Sequence, residues 1–100
     1  MSNINEFQKM CAKFVNDIDN KYNIKRDPHF CFTQLMEEIG ELAKEINKPR
    51  LRSQEIDQKN LKGEFADVFL QLSALAGLLD VNLEEAVKEK IEEIKKRHNL

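Results

Sequence analysis

The chain has 100 residues, enough for about one domain. It carries 16 Lys and Arg against 18 Asp and Glu, and the formal net charge of -2 argues against a nucleic-acid-binding module with a basic excess. The hydrophobic share of 41%, the charged share of 34% and the presence of only 3 Gly and 2 Pro suit a compact helical protein. They do not suit a disordered, collagenous or β-rich chain.

The sequence shows no feature typical of membrane or secreted proteins. No run approaches the ~20 apolar residues of a membrane span, and the N-terminus lacks the charged-then-apolar pattern of a secretory signal. Cys11 and Cys31 are too far apart to form a close metal-binding pair. We interpret them as reduced thiols in a cytoplasmic protein without a membrane partner.

Four helices are predicted from apolar residues that recur at three- and four-residue steps. The first spans about residues 4–22 and the second about 28–47, with Asp27 as its N-cap and Pro28 at its first position. Residues 48–60 are charged and are predicted to form a loop with at most a helical turn. The third helix spans about residues 61–79. The fourth spans 83–98, after Asn82, which with Glu85 resembles a capping box. Short turns predict an antiparallel four-helix bundle over a single domain, residues 1–100.

The second helix separates an apolar stripe from an acidic sector about 100° wide. The apolar stripe, which we expect in the core, consists of Leu35, Ile39, Leu42, Ala43 and Ile46. The acidic sector consists of Glu37, Glu38, Glu41 and Glu45. Taken alone, this sector is either a solvated acidic face or part of a site.

The third helix is apolar almost all round, which is typical of a helix buried on more than one face. One chain of this size has too little protein to cover it, so we expect a second chain to pack on it. A single narrow polar stripe of Glu64, Asp67 and Gln71 interrupts the apolar surface. Buried carboxylates are costly unless they are paired or bind a cation, and Lys62 at the edge is the only base this helix offers.

Acid pairs three residues apart on two antiparallel helices are able to face one cavity. The pair Glu38 and Glu41 would face the pair Glu64 and Asp67. Ligation by oxygen alone suits Mg²⁺, with Mn²⁺ as a second possibility, better than Zn²⁺. A di-iron site needs Glu-x-x-His pairs, and neither His29 nor His98 follows a Glu at that spacing.

Two segments carry a resemblance to a known family. The segment Leu-Met-Glu-Glu-Ile-Gly-Glu-Leu at 35–42, followed by Glu-Phe-Ala-Asp-Val at 64–68, resembles the EExxE…ExxD signature of the MazG-like nucleotide pyrophosphohydrolases. The resemblance covers about residues 30–97. It implies an all-α protein that forms a homodimer or a homotetramer, the latter a dimer of dimers. It also implies hydrolysis of nucleoside triphosphates between the α- and β-phosphates.

The resemblance also implies roles for individual residues. It assigns metal ligation to Glu38, Glu41, Glu64 and Asp67. It places Glu37, Glu38 and Glu41 at the catalytic centre, with Glu37 as an extra ligand or as the base that orients water.

Further residues are implied to contact the nucleotide. Lys90 and Arg97 match the spacing of phosphate-binding residues on the last helix, although Ile94 stands where the family often has Asn. His29, Phe30 and Phe32 are candidates for contact with the nucleoside, and core packing is the other interpretation. The basic loop 48–60 either closes over phosphates or is a solvated linker.

Two alternatives to an enzyme remain open from the sequence. One is a catalytically degenerate helical dimer that binds nucleotide or regulates a partner. The other is an acidic protein-interaction module that uses its glutamate face. The narrow polar stripe of the third helix counts against the latter, because acids that bind a protein partner need no burial.

Overall fold

The computed structural model describes residues 3–100 and confirms an all-α fold. Its five helices are α1 (Ile4–Lys21), α2 (Pro28–Ile46), α3 (Lys48–Leu51), α4 (Gln58–Leu78) and α5 (Leu83–His98). No strand occurs within residues 3–100. The long helices begin and end within three residues of the predicted positions, and α3 is the helical turn expected in the 48–60 segment.

Side-chain caps fix where the helices begin. The Asp27 carboxylate accepts a hydrogen bond of 2.8 Å from the Phe30 amide, and the Asn82 side chain accepts one of 3.1 Å from the Glu85 amide. Both caps were predicted. A third cap, in which Asp57 accepts from the Asn60 amide at 3.1 Å, starts α4 three residues earlier than expected. The first turn of α4 lacks the apolar periodicity that the prediction relied on.

Helices α2 and α4 form the most extensive helix pair and are antiparallel. The end of α2 contacts the start of α4, since Glu45 accepts a hydrogen bond of 2.9 Å from the Asp57 amide. Near the other end, the Cys31 thiol lies 3.6 Å from the Gln71 carbonyl oxygen. Helix α1 crosses this pair, and the small core consists of Val15, Cys31 and Ala74, one residue from each helix.

Helix α5 departs from the bundle that the sequence predicts. It meets α4 at a bend of 95° and has its main contact with α1. The buried Gln8 fixes the turn, because its amide donates to the Val81 carbonyl and accepts from the Leu83 amide, both at 2.8 Å. Three of the four long helices therefore share a core in this chain, whereas Val87, Ile91 and Ile94 of α5 stay exposed.

The buried face of α1 differs from the predicted one. The buried residues are Gln8, Cys11, Val15 and Asp19. The sequence predicts a core stripe of Ile4, Phe7, Cys11, Phe14, Val15, Ile18 and Tyr22, of which only Cys11 and Val15 are buried and the others are exposed. The helix is thus rotated by roughly 50° from the expected orientation. Gln8 and Asp19 lie inside because each has hydrogen-bond partners in another part of the chain.

Helix α2 also differs from its predicted pattern. Ile39, Ala43 and Ile46, expected in the core, are exposed. Glu45, a member of the acidic sector, is 2% exposed. Its carboxylate binds the Lys48 ammonium at 2.8 Å, the Asp57 amide and the Asn60 side chain. These bonds lower the pKa of Glu45 from 4.5 to about 2, and Lys48 has the largest effect. Glu45 thereby connects α2, α3 and α4.

The chain exposes more surface than a compact protein of its mass. Its accessible surface is 7862 Å², whereas about 5,900 Å² is expected for a compact monomer. Its radius of gyration is 16.2 Å, against about 13 Å for a compact chain of this length. Among residues 3–100, no single helix has the length and apolar character of a membrane span. The bent pair α4–α5, taken together, has the length and composition of one, and nothing more than these two properties suggests a span.

The Glu45 contacts make stability depend on pH. Because the pKa of Glu45 is lower in the folded state, its stabilising effect is complete above pH 4.5 and is lost as the pH falls towards about 2. We expect the difference in unfolding free energy between wild type and Glu45→Gln to be largest near neutral pH and to shrink below about pH 5. Urea denaturation at several pH values measures it.

The matched control for this experiment is Glu55→Gln. Glu55 is exposed and has no ion-pair partner among the described residues, so its replacement should change stability little at any pH. An effect of Glu45→Gln that is equally large at pH 6 and pH 3 would contradict the role assigned to the Glu45 carboxylate.

Candidate functional site

Three carboxylates converge between α2 and α4. Glu38 comes from α2, and Glu64 and Asp67 come from α4; one oxygen from each lies within 4.8 Å of the others. The three-residue step from Glu64 to Asp67 puts both on the same face of their helix. The antiparallel pairing of α2 and α4 then brings that face to Glu38. The structure thus brings together three of the four ligand residues predicted from the sequence.

None of these three carboxylates is neutralised by a basic side chain within residues 3–100. The Glu64 Oε2 atom is buried and has no hydrogen-bond partner in the described part of the chain. A buried carboxylate oxygen without a partner is costly, and native proteins rarely retain one without a reason. The cluster therefore has the electrostatic character of a cation site.

The crowding of charge affects the pKa of Glu38. Partial burial raises the pKa of Glu38 above its ordinary value, and the negative charges of neighbouring carboxylates raise it further. In decreasing order of effect, these neighbours are Asp67, Glu64, Glu41 and Glu37. The four other acids predicted for the site therefore all raise the pKa of Glu38.

The donor set fits a hard divalent cation. All donors are carboxylate oxygens, with no His or Cys in the cluster, and Mg²⁺ and Mn²⁺ prefer this chemistry. Glu38, Glu64 and Asp67 would hold the ion. Glu41 and Glu37 are exposed and lie outside the group of three, so they border the cluster from the solvent side.

A cavity of about 210 Å³ lies beside the cluster. Glu38 and Asp67 form one part of its wall, and Phe14, Ile18 and Leu70 supply apolar surface from α1 and α4. The rest of the wall consists of Val15, Asp19, Arg26 and Gln71. The cavity thus combines an anionic end with apolar walls, which is the composition expected of a ligand site.

Two of the polar residues in this wall were not predicted. Arg26 donates to both carboxylate oxygens of Asp19, at 2.7 and 3.2 Å, and to the Gln71 side chain at 2.9 Å. The only sequence signal for Asp19 is its spacing of four residues from Val15 on the buried face of α1. Gln71 was placed on the polar stripe of its helix, and the structure confirms that position.

The predicted phosphate-binding residues lie away from the carboxylates in the contacts of this chain. Lys90 and Arg97 lie on the exposed helix α5, where both pair with Glu93, at 3.3 and 3.7 Å. Neither residue lines the cavity beside Glu38. Their assignment to phosphate binding stays a prediction.

The predicted nucleoside-binding residues are at the start of α2. His29 and Phe32 are exposed, and neither lines the cavity. Phe30 packs against the Arg26 guanidinium, whose central carbon lies 5.1 Å from the ring centre. The cavity wall thus includes residues of α1 and Arg26, and the assignment of His29 and Phe32 to nucleoside binding stays a prediction. In the 48–60 segment, Lys48 is held by Glu45, and Arg50 and Arg52 are exposed.

The fold and the site together describe the class: an all-α protein with a carboxylate cluster between two antiparallel helices. Residues 26–100 match the model of the MazG nucleotide pyrophosphohydrolase domain. The chain belongs to this family. The matched segment includes every residue of the carboxylate cluster and excludes α1.

The chain is also similar to a curated protein. The uncharacterized protein YpjD of Bacillus subtilis (strain 168) is 41% identical over 64 residues, which are 59% of this chain and 56% of YpjD. The match thus spans little more than half the length of the relative.

Cation binding is testable through stability. Titration with Mn²⁺ or Mg²⁺ should raise the melting temperature, because an ion that binds only the folded state adds about 2.7 kcal/mol at 100 times its Kd. Glu64→Gln should abolish most of this rise. Without added metal, the same substitution should raise the melting temperature, since it removes a buried charge from a repulsive cluster.

Glu89→Gln serves as the control for the loss of one negative charge. Glu89 is exposed on α5 and has no ion-pair partner in the described chain. It should retain the metal-dependent rise of the wild type. If Glu64→Gln also retained the full rise, the cluster would not be the binding site. Differential scanning calorimetry with and without chelator measures the melting temperature of each variant.

Proposed function

We propose that this protein hydrolyses nucleoside triphosphates between the α- and β-phosphates, with Mg²⁺ as cofactor, to give nucleoside monophosphate and pyrophosphate. The observation that carries this proposal is the unneutralised group of Glu38, Glu64 and Asp67 in a chain of the MazG nucleotide pyrophosphohydrolase family. Three carboxylates beside a cavity suit the recognition of a magnesium-bound triphosphate.

The proposed roles follow from position and charge. A divalent ion bound at such a site neutralises phosphate charge and lowers the pKa of a bound water. Glu38, Glu64 and Asp67 hold the ion in one place relative to the cavity. Glu41 and Glu37, at the exposed edge, are the acids free to orient the attacking water and accept its proton.

The cavity beside the cluster is the proposed site of the nucleoside. Its anionic end lies at the cluster, where the metal-bound phosphates belong. Its apolar walls, formed by Phe14, Ile18 and Leu70, suit a flat aromatic base. In this proposal, the base lies next to α1.

We further propose that the working form is a dimer or tetramer of this chain. The surface in excess of a compact monomer is roughly 2,000 Å² per chain, which is in the range of obligate interfaces when two copies contribute. Apolar side chains are exposed on every long helix, among them Phe14 on α1, Phe65 on α4 and Ile91 on α5. A second copy packed on these faces would also complete the bundle that α5 leaves open.

The alternative function is a degenerate member that binds nucleotide without hydrolysis. The presence of Glu38, Glu64 and Asp67 within 4.8 Å of one another favours an enzyme, because a binding protein has no need to retain a repulsive cluster.

Hydrolysis is tested by incubating the purified protein with a panel of ribo- and deoxyribonucleoside triphosphates and Mg²⁺. We expect monophosphate and pyrophosphate as products, and no reaction with excess chelator. Glu41→Gln and Asp67→Asn should each lower kcat about 100-fold or more, whereas Glu89→Gln should not. Full activity of Asp67→Asn would contradict the metal-site assignment. Tight nucleotide binding without hydrolysis would support the degenerate alternative.

Oligomerisation is tested by sedimentation and size-exclusion chromatography. The wild type should sediment at no less than twice the 11.7 kDa mass of one chain. Ile91→Glu should shift the protein towards the monomer, because Ile91 is 46% exposed in a single chain and no loss of packing within that chain is expected. Lys96→Glu on the same helix is the control. A wild type that is monomeric at all concentrations would rule out the dimer.

A further inference from the structure

The cavity wall contains a side-chain amide held in one orientation. Arg26 Nη1 donates to Gln71 Oε1 at 2.9 Å. A guanidinium has no acceptor atom, so this contact requires the oxygen of the amide and not its nitrogen. The Gln71 Nε2 atom, with two N–H groups, then has no hydrogen-bond partner within residues 3–100. Gln71 therefore offers its two N–H donors to a ligand in the cavity, while its oxygen already accepts from Arg26.

Arg26 is itself held on two sides. Asp19 binds it through two hydrogen bonds of 2.7 and 3.2 Å, and the Phe30 ring lies 5.1 Å from its central carbon. The side chains of Arg26 and Asp19 are only 12% and 5% exposed. Hydrogen bonding to Asp19 also raises the pKa of Arg26, so the guanidinium stays charged and cannot become an acceptor. The orientation of the Gln71 amide is thus fixed by a buried ion pair.

The charges along the cavity indicate which part of a nucleotide meets Gln71. In one part of its wall, Glu38 and Asp67 are without basic partners and suit metal-bound phosphate. In another part, the charge of Arg26 is compensated by Asp19, so Arg26 adds no net attraction for phosphate. A neutral, flat group is the better occupant there, and Gln71 forms part of that wall.

We propose that Gln71 is a specificity-determining residue that favours bases with a carbonyl group over bases with an exocyclic amino group, and that Arg26 is a positioning residue for it. The inference deepens the proposed function and rests on it. A carbonyl oxygen accepts from Nε2, as in a 4-oxo pyrimidine or a 6-oxo purine. An amino group at the same position sets donor against donor and leaves both unpaired.

The test compares substrates that differ in this exocyclic group and, with it, in whether the adjacent ring nitrogen carries a hydrogen. The pairs are UTP against CTP and ITP against ATP. We expect the wild type to favour the carbonyl member of each pair by about 10-fold or more in kcat/KM. Gln71→Met, of similar length but without donors, should bring both ratios close to one. Gln71→Glu replaces donors by acceptors and should lower or reverse the preference.

Arg26 is tested by the same ratios. Arg26→Met frees the Gln71 amide to rotate, so the ratios should fall while kcat for the carbonyl substrates changes less. Arg26→Lys retains one donor for Gln71 Oε1 and should restore part of the preference, which a purely structural role would not predict. Gln54→Met, in the exposed segment before α4, is the control and should keep the wild-type ratios.

A binding experiment separates this inference from the proposed hydrolysis. Uridine and cytidine, which carry no phosphate, are titrated without metal and followed by amide chemical shifts. Stronger binding of uridine that depends on Gln71 supports the specificity role even if no triphosphate is hydrolysed. Rapid hydrolysis with equal kcat/KM within each pair, a preference for the amino members, or ratios unchanged in Gln71→Met would overturn it.

Discussion

Mutual repulsion among carboxylates between α2 and α4 is the constraint on which the rest of the structure depends. Glu38, Glu64 and Asp67 face one another without a basic partner among the described residues, so the helices that carry them must be held together elsewhere. They are held at both ends. Glu45 joins the end of α2 to the start of α4, and near the other end Cys31 packs in the core with Val15 and Ala74. The stable contacts thus border the repulsive region, which keeps the acids close enough to share a cation.

Local features were predictable from the sequence, and long-range polar contacts were not. The helix bounds follow from caps such as Asp27 and Asn82, whose partners are three residues away. The convergence of Glu64 and Asp67 on Glu38 follows from helical spacing and antiparallel packing. The burial of Gln8 and Asp19 was missed because their partners are Val81 and Arg26, and no periodicity reveals such a pairing. An apolar stripe predicts the buried face only where polar neighbours have no partners of their own.

The exposed surface of the chain has a related explanation. The sequence predicted that the helix now labelled α4 has more apolar surface than one chain covers, and the exposure of Phe65 and Leu79 agrees with this. It did not predict that α5 would turn away from α4 by 95°, since the hydrogen bonds that hold this bend join Gln8 to Val81 and Leu83, far away in the sequence. A single buried glutamine on α1 thereby decides which apolar faces remain open.

Helix α1 lies outside the segment that matches the family model, yet it supplies Phe14, Ile18 and Asp19 to the cavity. The carboxylate cluster therefore comes from α2 and α4 alone, whereas α1 contributes to the cavity wall without contributing an acid to the cluster. Substitutions in α1 alter the shape and polarity around a ligand without moving an acid of the cluster. In this architecture, the N-terminal helix can vary the shape of the cavity while the acids of the cluster stay in the helices that follow it.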